Sequence, residues 1–366
     1  MLEKHVEMDS IRLHNAFALI DNAITNELIP GAVVHIRCGG RSFEYASGNA
    51  IVTDTDMLPV TIDTLYDCAS LTKVVATLPL TLMLVEAGDL RLDDLVASYI
   101  PEFHDYGKEM ITIRHLLAHT SGLPAHRDLY SQGWSQDKIA QALNRMKLEY
   151  RPGKGCQYSC LGYIVLGRII EHVCGQSLAY AVEQMLLKPL GMTDSCYNPP
   201  QEKRLRIAAT EYDARLGAYC WGRVHDENAA ALGGIAGNAG LFTTARDLAR
   251  YASLWLRRAE HRYGTQLLSD SIMQDALGCQ TTAIPGAKRG LGWVLRGDIA
   301  DFAGKGWSLR GFGHTGFTGT SIWIDPEWDT SIVLLTNRVH FGREKSVVEL
   351  RQQFHEAVFE AIDRKS

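Results

Sequence analysis

Residues Tyr66–Gly88 read YDCASLTKVVATLPLTLMLVEAG. From Val74 onward the run is almost wholly apolar, and it stops at Gly88, a residue suited to the turn that ends a helix. The pattern predicts a buried helix that starts near Ser70. Ser70 and Lys73 stand three residues apart at its start, so they share one face. Burying an unpaired ammonium is costly, and a lysine at the end of such a helix therefore needs a partner or a task.

At a helix N-terminus the free N–H groups and the dipole favour an anion. An attacking alkoxide and a tetrahedral oxyanion are anions of that kind. A desolvated lysine one turn away can lose its proton and serve as a base. Ser-x-x-Lys alone is common by chance, so the reading rests on two further segments.

In RPGKGCQYSCLGYIVLGRII, Tyr158 follows a glycine-rich loop and precedes a helical pattern. A tyrosine there either packs as a helix-start aromatic or projects into a cleft, where a nearby lysine would lower its pKa and let it exchange protons with a serine. In FGHTGFTGTSIWI, His314-Thr315-Gly316 is read as opening a strand. Gly316 lets the backbone approach a ligand, and an extended edge there can bind an acyl chain through main-chain hydrogen bonds. The N–H of Phe317 can join that of Ser70 as an oxyanion hole, worth roughly 3–4 kcal/mol per donor.

Taken together and in order, Ser70-x-x-Lys73, Tyr158-Ser159-Cys160 and His314-Thr315-Gly316 resemble the three motifs of the serine β-lactamase and penicillin-binding-protein superfamily, on its class C and esterase side. TIRHLLAHTSGLP and GGIAGNAGLFTTARDLARYA resemble segments of the same group, and the likeness runs from about Gly31 to Asn337. It implies acyl transfer in which Ser70 attacks a carbonyl, Lys73 and Tyr158 move protons, Thr315 helps bind substrate and water releases the acyl group. It also implies an active site between an α/β domain and a helical insertion.

Two positions depart from that pattern. Cys160 stands where an asparagine is usual, and cysteine cannot offer a carbonyl acceptor and an amide donor together. His314 stands where β-lactamases carry a lysine, and a histidine is charged only below about pH 6.5. Both weaken the case for efficient β-lactam hydrolysis. If the substrate carries a carboxylate, His314 is expected to hold it only when protonated.

The fold expected is α+β, an antiparallel sheet built from both termini and flanked by the terminal helices, with a large helical insertion. Residues 1–105 and 285–366 are assigned to the α/β part and 106–284 to the helical part. GAVVHIRCGGRSFEYASGNA predicts a hairpin turning at Gly39-Gly40, and TGTSIWIDPEWDTSIVLLTNR predicts two strands. MLEKHVEMDSIRLHNAFALIDNAI and SVVELRQQFHEAVFEAID predict the terminal helices, and TTARDLARYASLWLRRA one more.

The chain has 366 residues, 46% of them apolar, and a formal net charge of −5. These totals fit one large domain and show no basic block for nucleic acid. The eight cysteines make no small-protein disulfide framework, Cys156 and Cys160 lack a second ligand pair for a metal, and no cofactor motif is present. The first residues lack the apolar core of a signal peptide, and Val74–Val85 is too short to span a bilayer and contains Pro79. A cytoplasmic protein without a stable membrane anchor is expected, acting on a small-molecule or peptide-bearing substrate. That location counts against a β-lactamase or D-alanyl peptidase in the strict sense.

The expected function is therefore a serine amidase on peptide-bearing cell-wall fragments, of the N-acetylmuramoyl-L-alanine amidase type. A broad carboxylesterase or β-lactamase-like enzyme is the alternative, and a non-catalytic ligand sensor on the same fold is a third. The run WGRVHDENAAALGG contributes His225, Asp226, Glu227 and Asn228, read either as a solvated polar loop or as a substrate-binding loop with His225 in it.

Overall fold

The computed structural model describes residues 6–53, 57–214, 217–256 and 267–364. The hairpin is as expected. Strands β2 (Gly31–Cys38) and β3 (Arg41–Val52) pair through a turn at Gly39 and Gly40, whose φ angles of 55° and 81° suit glycine. β3 continues to β4 (Met57–Pro59). From the other end of the chain come β5 (Val294–Leu295), β6 (Phe312–Thr315), β7 (Ser321–Asp325) and β8 (Thr330–Thr336). The antiparallel order is β5-β6-β7-β8-β2-β3-β4, so β8 and β2 join the two ends of the sequence at the middle of the sheet.

The period of two along each strand sorts the side chains onto two faces. Ala32, Val34, Ile36, Ile332 and Leu334 pack under helices α1 (Ser10–Thr25) and α6 (Val348–Glu360), with Leu13, Ile20, Phe354 and Val358. Val33, Val333 and Leu335 face the opposite way, into a larger core. That core takes in α2 (Leu78–Ala87), α3 (Ile113–Leu117), α4 (Cys160–Cys174) and α5 (Ala245–Trp255). α5 packs directly on β2, β7 and β8. Its expected end at residues 257–259 lies outside the described residues. Among the described residues no helix is long and apolar enough to cross a membrane.

Three expectations are corrected at the boundaries. The first helix begins only at Ser10, because the Asp9 carboxylate accepts the N–H groups of Ile11 (2.8 Å) and Arg12 (3.2 Å) and so caps it. Val6–Met8 ahead of it form a strand, β1, antiparallel to β9 (Ile362–Arg364), which takes the end of the expected C-terminal helix. The third correction is that His314-Thr315 closes a strand rather than opening one. The chain turns at Gly316–Gly319, where Gly316 N–H donates to Thr320 O (2.7 Å), before β7 begins.

Buried histidines should make this fold acid-labile. Burial, reinforced by Arg351, lowers the pKa of His355 to about 3, and burial is the main reason His35 falls to about 4. Each native pKa lies below the unfolded value near 6.5, so the unfolded chain takes up protons first as pH falls. Stability is full above about pH 6.5 and is lost below it, by about 2 kcal/mol per such group at pH 5. The melting temperature should drop from pH 7 to pH 5, and His355→Gln should make that drop shallower. An unchanged slope in the variant would remove His355 from this account.

Candidate active site

The serine is presented by a strained turn. Ala69 has φ +45°, a left-handed conformation that costs a non-glycine residue energy. The buried Asp67 carboxylate holds it there by accepting Ala69 N–H at 2.8 Å, while its other oxygen accepts His225 N–H at 2.6 Å. Residues 71–73 then wind tightly, with Lys73 N–H donating to Ser70 O at 3.1 Å.

Lys73–Thr77 form one wide π-turn before α2. Pro79 explains it. Its missing N–H removes an α-helical bond, and the wider turn absorbs the loss. Leu78 N–H reaches back to Lys73 O, which frees Val74 O to accept the hydroxyl of Tyr251.

Lys73 is fully buried, and its ammonium has three acceptors for its three hydrogens: Ser70 Oγ at 2.9 Å, Asn238 O at 3.1 Å and Cys160 Sγ at 3.5 Å. Burial works to lower its pKa, but Cys160 and Tyr158 outweigh burial and hold it up at about 12. The expectation of a deprotonated lysine base is corrected accordingly: Lys73 is a cation at neutral pH.

Tyr158 lies just before α4. Ser159 caps that helix and donates to Pro124 O at 2.7 Å, which fixes the loop. Lys73 Nζ sits 4.9 Å from the centre of the Tyr158 ring. Burial raises the tyrosine pKa and the Lys73 charge opposes it, with a net rise. The phenol is therefore protonated at neutral pH, the reverse of the lowered pKa expected. Its buried hydroxyl has no formed hydrogen bond.

Two neutral histidines flank the tyrosine. The His119 ring lies 4.6 Å from the Tyr158 ring, and its Nδ1 accepts Ser159 N–H at 3.1 Å, so its proton sits on Nε2. The His314 ring lies 5.9 Å away on the other strand-borne motif. Its Nδ1 donates to Thr315 O at 2.8 Å, which leaves Nε2 as a bare, buried acceptor. Burial, then Lys73 and Arg289, lowers the pKa of His314 to about 3. His314 is therefore neutral at physiological pH in the free site, whereas the carboxylate anchor expected from the sequence needs its protonated form.

Gly316 brings β6 against the serine turn. A side chain there would meet Cys68 O at 2.4 Å and Thr320 Oγ1 at 2.1 Å. Thr318 and Thr320 clamp the two turns together by donating to Asp67 O (2.8 Å) and Cys68 O (3.1 Å). Ser70, Tyr158, His314, Thr315, Gly316 and Phe317 all line one cleft of about 500 Å³. β5 pairs only with Phe312 and Gly313, so it leaves the outer edge of His314–Gly316 uncovered. Cys160 touches this site through Lys73.

His225 belongs to the next cavity, of about 580 Å³. Its ring stacks on Phe317 at 5.7 Å and its Nε2 bonds Glu211 at 2.9 Å. The 225–228 run is a brace rather than a solvated loop. Asp226 caps a short helix and accepts from Asn238 (3.2 Å), Glu227 pairs with Arg343 (2.5 Å), and the buried Asn228 accepts Leu129 N–H (3.0 Å).

Sequence reasoning passed over two residues. Asn238 gives Lys73 its carbonyl, and Gly237 beside it must be glycine because a side chain would meet Tyr163 O at 2.0 Å. Arg351 of α6 lines the same cleft, 3% exposed. Its Nη2 reaches Gly319 O and Thr320 O at a long 3.4 Å, its Nε is buried without a partner, and no carboxylate among the described residues pairs with it. Burial and the charge of Arg338 pull its pKa down to about 10, so it remains a cation. Its neighbours in the cleft wall are committed elsewhere: Arg289 to Asp298 (3.2 Å), Arg343 to Glu211 (2.7 Å), and Arg338 to Phe317 O (2.8 Å) and Arg343 O (2.9 Å). The signal for Arg351 was its position, with His355, on the apolar stripe of the last helix.

Comparison with known proteins agrees with this geometry. A family model described as Beta-lactamase matches residues 17–354. A putative D-alanyl-D-alanine carboxypeptidase of Escherichia coli K12 is 36% identical over 337 residues, covering 84% of this chain and 76% of the relative. Its counterpart in Salmonella agona is 33% identical over 371 residues, covering 92% and 84%. Among solved structures, a class C beta-lactamase superposes with a TM-score of 0.77 at 22% identity, covering 98% of both chains. A penicillin-binding protein homologue from Caulobacter crescentus gives 0.75 at 20% identity, covering 98% and 100%. At such identities the structures speak to the fold alone.

Proposed function

This chain belongs to the beta-lactamase family and is a serine hydrolase, and from that premise we propose that it cleaves peptide amides carrying a carboxylate close to the scissile bond, in the manner of a D-alanyl-D-alanine carboxypeptidase. The observation that carries the reading is Arg351, a buried cation in the wall of the cleft that holds Ser70, with no acidic partner among the described residues. The cytoplasmic location expected from the sequence would direct the enzyme to soluble wall-peptide fragments. The muramoyl-peptide amidase expected from sequence works on the same class of molecule, but the names of the curated relatives favour the C-terminal bond.

In the mechanism proposed, an extended substrate lies along the open edge at His314–Gly316, with Thr315 beside it. Ser70 Oγ attacks the carbonyl carbon. Lys73, always charged, stabilises the forming alkoxide, and the N–H groups of Ser70 and Phe317 receive the oxyanion. Tyr158 accepts the Ser70 proton as it passes its own to the leaving nitrogen, so a neutral phenol suffices. Water then retraces the route: its proton goes to Tyr158, the Tyr158 proton returns to Ser70, and the acyl group leaves as an acid.

The charge test uses two substrates, an N-acylated peptide ending in D-alanyl-D-alanine and a neutral p-nitrophenyl ester. Arg351→Gln should raise KM for the peptide about 10–100-fold, the loss of charge-assisted hydrogen bonds worth roughly 1.5–3 kcal/mol. KM for the ester should hold. With His314 neutral, KM for the peptide should also stay flat between pH 5.5 and 8. Equal damage to both substrates, or cleavage of a muramoyl-peptide at its muramoyl–L-alanine amide in preference to its terminal D-alanine bond, would reject this reading.

A further inference from the structure

A further cavity, of about 270 Å³, shares no residue with the catalytic cleft. Its floor is the α5-facing side of two paired strands. His35 and Arg37 alternate on β2, and the register places Glu44 and Ser42 of β3 opposite them. Its wall is one face of α5, where Arg246, Ala249, Arg250 and Ser253 recur at helical spacing.

The lining holds three guanidinium groups and one carboxylate, and Asp63 just outside it also pairs with Arg246 at 3.0 Å. Glu44 is taken by Arg246 in a bidentate pair of 2.6 and 2.8 Å. Arg250 leans on Asp247 at 2.5 Å, whose carboxylate is itself committed to Ser195 at 2.9 Å. Arg37 has no ion pair among the described residues, and its Nε is buried without a hydrogen-bond partner. His35 is 7% exposed and its Nδ1 is likewise buried and unpartnered. With a pKa near 4 it is a neutral imidazole that keeps one N–H to give.

Arg37 is therefore the one lining arginine without a carboxylate among the described residues, beside a buried imidazole nitrogen left unused and two serine hydroxyls in reach. A carboxylate would use only part of that donor set. A tetrahedral oxyanion presents more acceptor oxygens, and the forked geometry of guanidinium suits it.

We propose that this cavity, between the β2–β3 hairpin and α5, binds a phosphate-type oxyanion, either free phosphate or the phosphoryl group of a larger molecule. The two sources share the same recognition by Arg37, Arg250 and His35 and differ only in what projects through the open mouth.

Titration calorimetry of the full chain with inorganic phosphate, at constant ionic strength against chloride, tests this. Saturable one-site binding is expected, weakened tenfold or more by Arg37→Ala and only partly by Arg37→Lys, with turnover of a neutral ester by Ser70 unchanged in both. A sugar 1-phosphate binding tenfold tighter than inorganic phosphate would identify a phosphoryl-bearing ligand, and equal affinity would identify the free ion. In the wild-type protein the His35 imidazole resonance should shift with phosphate and saturate at the same concentration, a readout that does not depend on how the variants fold. Absence of saturable binding, binding untouched in a folded Arg37→Ala, or a His35 signal that stays put would each overturn the proposal.

Discussion

Ser70→Ala should abolish turnover of every substrate the enzyme accepts, with a fall in kcat of roughly 10⁵-fold or more, because covalent catalysis has no second path once the nucleophile is gone. The size of the loss follows from how the serine is held. The strained Ala69 turn, the Asp67 clasp and the two threonine clamps spend folding energy to fix one hydroxyl 2.9 Å from a buried ammonium. That geometry serves attack and little else. The melting temperature should change little, since the Ser70 side chain is only half buried and packs no core. Steady-state kinetics on the peptide and the ester, with melting curves alongside, checks both halves. A variant retaining a tenth of wild-type kcat would mean that another group attacks.

Lys73→Met should separate catalysis from stability. Methionine keeps the length of the side chain and removes the charge. The Ser70 alkoxide then loses its stabilising cation, and kcat should fall about 10³-fold or more. Stability should hold or rise, because replacing a buried ion by an apolar group of similar size removes a desolvation penalty, offset by the acceptors it leaves behind. A loss of stability with kcat preserved would make Lys73 a structural ion. The charged state matters to a second readout: with Lys73 held near 12 and Tyr158 raised by burial, the kcat profile should show no ionisation of either group between pH 6 and 9.

Much of this site could be read from the chain because its parts are short local signals. Ser70-x-x-Lys73, the glycine-rich approach to Tyr158 and the Gly316 turn each act through neighbours in sequence, and the structure brings all three to one cleft. The hairpin at Gly39-Gly40 and the helix stop at Gly88 were legible for the same reason, since glycine conformations are set locally. What escaped was set by tertiary contact. The ionisation of Lys73, Tyr158 and His314 depends on burial and on partners far away in sequence, so reference pKa values misled at all three. Arg351 lies 281 positions beyond Ser70 and enters the cleft only because α6 folds back over the sheet. Asn238 offers a backbone carbonyl, for which side-chain chemistry gives no clue. The strand at Val6–Met8 needs its partner at Ile362–Arg364, which no local pattern announces.

The central claim is an acyl-enzyme on Ser70, and intact-protein mass spectrometry tests it most directly. The enzyme is quenched in acid during turnover of a slowly released β-lactam or an activated peptide ester, weighed and then digested. The account predicts one added acyl mass, carried by the peptide that contains Ser70 and absent from Ser70→Ala. A mass on another residue, or full turnover with no adduct in a quench faster than kcat, would contradict it.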